Sequence, residues 1–202
     1  MLTTAQLQAL KTDIAVNTAT INGVQIKDMP NGPDANYSIA LWYSSLASPD
    51  FFVFRTNIPT KELFDQITWA NYTPQDAIAS DGSNAQLWNA RSMACQGKQF
   101  NLQIILQGQQ SFDASRITQR AGLNDATTGL PSGPAGASRS GGWTAILTIL
   151  RRQALRIEKL FATQTSGVGV TAGDSLGATT NPGLMGYEGT IGDGDISAAR
   201  NS

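Results

Sequence analysis

Apolar residues recur at spacings of three and four through much of this chain, and that period predicts helices. Leu7, Leu10 and Ile14 share one face behind Thr3 or Thr4, either of which can cap a first helix. Asn22 and Gly23 mark a turn, and a loop with two prolines and a glycine follows at 29–34. Asp34 is placed to cap a second helix over 35–47, with Ile39, Trp42, Tyr43 and Leu46 as its apolar stripe. The apolar run 51–54 predicts a short strand or an extended buried plug. Pro59 and Thr60 open a short helix that turns Leu63, Phe64 and Ile67 inward, and Thr73 with Pro74 has the form of another helix start. Residues 84–110 read as mainly helical, carrying Leu87, Trp88, Arg91, Cys95, Leu102, Ile105 and Leu106, with Gly97 and Gly108 as weak points. A polar-rich helix follows at 113–123. The strongest helical pattern covers 143–163, where Trp143, Ile146, Leu147, Leu150, Ala154, Ile157 and Phe161 repeat at helical spacing.

Two stretches lack any such period. Residues 125–142 hold five glycines and two prolines in 18 positions, the pattern of a long exposed loop. Residues 165–202 carry nine glycines in 38 positions, so helix is disfavoured there, and 184–191 alone has the apolar content of a strand or hairpin. The expected fold is therefore mainly α: a small helical bundle body over 1–164, and an extended C-terminal arm over 165–202 with a short β-strand or hairpin.

Composition narrows the function. Charged residues are 14% and the net charge is −1, so the surface must be rich in Gln, Asn, Ser, Thr and Gly. Few charges mean weak repulsion between copies, which suits a protein that works in contact with others. A general nucleic-acid binder would need a large basic excess. The chain has no His, which removes Ser-His-Asp and Cys-His machinery and most zinc sites. Cys95 is the one cysteine and reads as a small buried apolar residue. The N-terminal residues lack the pattern of a signal peptide, and no apolar run reaches membrane-spanning length. The expectation is a chain made in the cytoplasm, with no membrane partner.

Asp193 and Asp195 among glycines fall short of the six to eight or so oxygens of a calcium loop. Gly141 and Gly142 open a helix without the Lys of a phosphate loop. Asp65, Asp76, Asp81 and Asp113 sit where helix caps and turns explain them, so a virion-associated hydrolase built on paired carboxylates has no clear motif. Arg151, Arg152, Arg156 and Lys159 form the basic cluster, read as a solvated helix face, as an ion-pairing surface for a partner protein, or as part of a DNA-lined channel. The arm offers Leu184, Met185, Tyr187, Glu188 and Ile191 as contact residues. An extended segment with such anchors can add to a partner's sheet edge. No catalytic, cofactor-binding or metal-binding residue emerges.

Several stretches resemble tailed-bacteriophage structural proteins of the head-to-tail adaptor, or neck and connector, family. They are residues 7–14 (Leu-Gln-Ala-Leu-Lys-Thr-Asp-Ile), 30–43 (Pro-Asn-Gly-Pro-Asp-Ala-Asn-Tyr-Ser-Ile-Ala-Leu-Trp-Tyr) and 48–56 (Ser-Pro-Asp-Phe-Phe-Val-Phe-Arg-Thr). Towards the end come 156–163 (Arg-Ile-Glu-Lys-Leu-Phe-Ala-Thr), 185–191 (Met-Gly-Tyr-Glu-Gly-Thr-Ile) and 195–200 (Asp-Ile-Ser-Ala-Ala-Arg). Residues 79–142 match least. The resemblance implies a virion protein that forms a twelve-fold homo-oligomeric ring beneath the phage portal protein and meets a tail or neck protein. It implies a C-terminal extension reaching the portal, here placed at Leu184, Met185, Tyr187, Glu188 and Ile191, with Arg151 and Arg152 as further contacts. An incidental contact with packaged DNA belongs to the same picture. Head decoration and tail completion are the alternative roles within the virion. On this reading, deleting 183–202 leaves a folded body that no longer joins heads to tails.

Overall fold

The computed structural model describes residues 1–134 and 136–202. In chain order its elements are α1 (Thr4–Val16), β1 (Thr20–Ile21), β2 (Val24–Gln25), α2 (Pro33–Tyr43), β3 (Phe52–Phe54), β4 (Ile58–Pro59), α3 (Thr60–Asp65), α4 (Ala85–Leu106), β5 (Ser111–Phe112), α5 (Ile117–Thr127), α6 (Trp143–Ile149), β6 (Arg151–Gln153), α7 (Arg156–Leu160) and α8 (Asp193–Asn201). Helix accounts for 45% and the strands are two or three residues long, so the fold is mainly α. The strands pair two by two: β1 with β2, β3 with β6, and β4 with β5. The chain divides into two compact units.

The first unit comprises 1–53, 153–165 and 171–202. Thr3 caps α1 as expected: its hydroxyl accepts the Gln6 N–H, while the Gln6 side chain accepts the Thr3 N–H at 2.9 Å. Helix α2 starts two residues earlier than predicted, with Gly32 at the cap and Pro33 in its first turn. Leu10, Ile14, Ile26, Ile39, Tyr43 and Ile157 form the core. Ile191, Ile196 and Ala199 of the C-terminal segment complete it. A smaller cluster gathers Ala47, Phe51, Val53 and Ala154, with Met185 against it.

The second unit comprises 54–152 and 166–170. Helix α4 packs on α5, closely enough at Gly122 that an added Cβ would lie 3.2 Å from Ile105 Cδ1. Cys95, Leu102 and Leu106 turn inward from α4, and Phe112, Leu123, Ile146 and Leu150 are buried in the same unit. Arg120 on α5 is fully buried. Its guanidinium donates to the carbonyls of Ala114 (2.6 Å), Ser115 (3.0 Å), Ser166 (2.9 Å) and Val168 (2.9 Å) and covers the Phe54 ring at 4.1 Å. Loss of hydration pulls its pKa below the ordinary arginine value.

Several expectations are corrected. The long helix over 143–163 is broken into α6, β6 and α7. Ala154 lies where it donates to Phe51 O (2.8 Å) and accepts from Ala47 N (2.9 Å), so extended pairing replaces helical bonds and still buries Leu150, Ala154 and Ile157. Thr73 and Pro74 start no helix; a 3-10 turn at Trp69–Tyr72 ends just before them. The stretch 125–142 is only partly an exposed loop. Helix α5 runs to Thr127, Leu130 bridges Arg139, and Leu130 and Ser132 are buried. At its end Gly142 has φ 110°, and a Cβ there would overlap the Gln66 carbonyl. The C-terminal segment 171–202 is not extended away from its unit. It ends in α8, an unforeseen helix that packs on α1 and α2.

Candidate interaction surface

The predicted contact residues of the C-terminal segment are largely engaged at home. Leu184 exchanges both backbone hydrogen bonds with Thr163 (2.9 and 2.8 Å). Met185 packs on the smaller cluster, and Tyr187 meets Phe161 edge-on with ring centroids 6.2 Å apart. Ile191 is buried, leaving Glu188 as the exposed member of the set. Arg151 and Arg152 lie half-buried on β6 rather than on a helix face. Arg156 instead stacks over Trp42 at 4.4 Å, and Lys159 lies 5.7 Å from the Phe51 ring centre. The four basic residues thus do not lie on one helix.

A cleft of about 530 Å³ in the first unit is lined by Asp13, Asn17, Trp42, Tyr43, Arg156 and Lys159. Its polar groups serve one another. The Tyr43 hydroxyl donates to Asp13, Asn17 donates to Tyr43 at 3.2 Å, and Arg156 donates to Ser45 Oγ and to the Trp42 carbonyl. Burial and the Asp13 carboxylate raise the Tyr43 pKa well above that of an ordinary phenol, so the group acts as a donor, not as a base. Among the described residues no three His, Cys, Asp or Glu side chains come together as a metal cluster.

The second unit presents a different kind of surface along α4. The helix is 22 residues long and carries two charges, Arg91 and Lys98. Both are turned to its packed side. Arg91 pairs with Asp76 at 2.7 Å and Lys98 with Asp125 at 3.2 Å. The Arg91 guanidinium holds the Asp76 carboxyl below its ordinary range. Met93, Phe100 and Ile104 stand out on the opposite side and Leu87 stands out beside Arg91, each more than half exposed. Ala90, Ala94 and Gly97 lie between them, also exposed, and the flanking Gln86, Asn89, Gln96, Asn101 and Gln103 are uncharged. Ala90, Met93, Gly97, Phe100 and Ile104 follow the 3-4-3-4 spacing of a helix-packing seam. Helix α4 therefore has two apolar stripes, one for its own core and one facing out. The second stripe is visible in the sequence as apolar residues outside the inward set.

Among the described residues no helix is long and apolar enough to cross a membrane. Comparison with protein-family models, with characterised proteins and with solved structures finds no match.

Proposed function

We propose that this chain is a structural protein of a phage particle, a head-to-tail adaptor that forms a ring under the portal and joins it to the tail or the next neck component. The exposed, uncharged apolar face of α4 carries the reading, because an apolar stripe of this length on a charge-poor chain is a surface for protein contact. The family resemblance of the stretches at both ends of the chain supplies the setting. In this reading the chain is made in the host cytoplasm and resides in the virion, and its work is done by contacts rather than by chemistry.

Quantitative mass spectrometry of purified particles, with imaging to locate the chain, tests this. About twelve copies at the portal vertex are expected for a closed ring. Hundreds of copies spread over the head would replace the adaptor with a decoration protein. Absence from particles would end both readings.

A further inference from the structure

We infer that the cleft of the first unit is a docking site for an extended acidic segment of a partner protein, whose carboxylate is held by Arg156 and Lys159 beside Trp42. The site is separate from the α4 face, and the adaptor reading stands or falls without it.

Unmatched charge is the first reason. Arg156 and Lys159 are one turn apart on α7 and both line the cleft. Neither forms an ion pair among the described residues. Asp13 is the one carboxylate in the lining, and it is taken up by the Tyr43 hydroxyl and by Asn17 at 3.4 Å. The cleft thus carries one positive charge in excess. A single carboxylate neutralises it, whereas a phosphate group, with a charge of about −2, overshoots.

A fixed recognition group is the second reason. The Arg156 guanidinium lies over the Trp42 ring, its carbon 4.4 Å from the ring centre. Both of its hydrogen bonds, to Ser45 Oγ and to the Trp42 carbonyl, leave from Nη1. Nε and Nη2 have no partner among the described residues. These two nitrogens form the edge of the guanidinium that matches the two oxygens of a carboxylate. The side chain is held before anything binds, so little rotamer freedom remains to be lost. The Lys159 ammonium makes no hydrogen bond among the described residues and adds a second charge that can follow the ligand.

The remaining walls select a peptide over a small acid. Val16, 69% exposed, and Leu160 give the cleft apolar sides next to the Trp42 ring. Thr18 at the rim belongs to no helix or strand, and neither its N–H nor its carbonyl has a partner among the described residues. An extended segment pairing with Thr18 sends alternate side chains into the cleft. An acidic residue and an apolar one two positions away then enter together. A small free acid meets the cations and leaves Val16, Leu160 and Thr18 bare.

Selection of random short peptides on the immobilised full chain tests this. Recovered peptides should carry Asp or Glu with an apolar residue two positions away, and bind with Kd below about 100 µM. Affinity should fall as salt is raised. Arg156→Gln should weaken binding about 10-fold or more. Arg156 also holds Ser45 and the Trp42 carbonyl, so Lys159→Glu is the second variant. It breaks no hydrogen bond, so circular dichroism should be unchanged while affinity for acidic peptides falls about 10-fold or more. Peptides without an acidic residue, affinity indifferent to Lys159→Glu, or no peptide recovered would each overturn the inference. Glutarate or inorganic phosphate binding as tightly as the peptides would do the same, making the cleft a small-anion site. The copy number in particles decides the adaptor reading separately.

Discussion

Glu158 on α7 accepts the backbone N–H of Gly189 at 3.0 Å from a fully buried position, tying residues 31 apart in sequence. Its other oxygen accepts the Leu155 N–H at 2.8 Å. One carboxylate thus starts a helix and fastens the C-terminal segment. Replacing it strands two half-buried donors, each expensive to leave unmade. Glu158→Ala is expected to cost about 3 kcal/mol, read as a lower urea midpoint with unchanged slope. Faster proteolysis within 184–192 should accompany it.

Helix α8 makes the C-terminus part of the core. Ile196 and Ala199 are fully buried, and Arg200 donates to the Met29 carbonyl at 2.6 Å and the Pro30 carbonyl at 2.8 Å. Ile196→Ala should destabilise the first unit by about 2–5 kcal/mol. Deleting 183–202 removes Ile191 and Ile196 together, so the shortened chain should lose cooperative unfolding, as followed by heat or denaturant. This is the opposite of the detachable arm that the glycine content suggests.

Arg120 gathers four carbonyls from two separate segments, and a lysine cannot reproduce that fork. Arg120→Lys and Arg120→Met should each cost about 3 kcal/mol. Amide exchange should rise first around 166–170, where Ser166 and Val168 lose their donor.

Burial pushes the Tyr72 phenol up to about 12, and its hydroxyl donates to the Ala126 carbonyl at 2.9 Å. The unfolded chain ionises this group near pH 10 or so. Between that point and about 12 the unfolded state has lost a proton that the folded state keeps, so stability falls as pH rises through this window. Tyr72→Phe should flatten that part of the stability curve. Phenolate absorbance should show Tyr72 titrating late.

The helices with a long, isolated apolar period were readable in advance: α1 with its Thr3 cap, and α4 with its inward Cys95, Leu102 and Leu106. Misreadings arose where the same residue types serve two physical ends. Leu150, Ala154 and Ile157 are buried either as one helix face or as a helix, strand and helix in succession, and pairing around Ala154 selects the second. Glycine misled for a related reason. Gly177 has φ 86°, and a Cβ there would overlap the Phe51 ring, so this glycine marks close packing rather than looseness.

The sequence by itself determined the mainly helical content, the low share of charged residues and a few local starts, such as the Thr3 cap and the helix opening at Thr60, because these follow from side-chain period and type. Tertiary structure decided the rest. It closed the glycine-rich C-terminus onto the first unit through Ile191, Ile196 and Glu158, which no local pattern encodes. It also decided which stripe of α4 turns inward. Both stripes are apolar, and only packing against α5, with Arg91 and Lys98 paired on that side, leaves Met93, Phe100 and Ile104 to face outward.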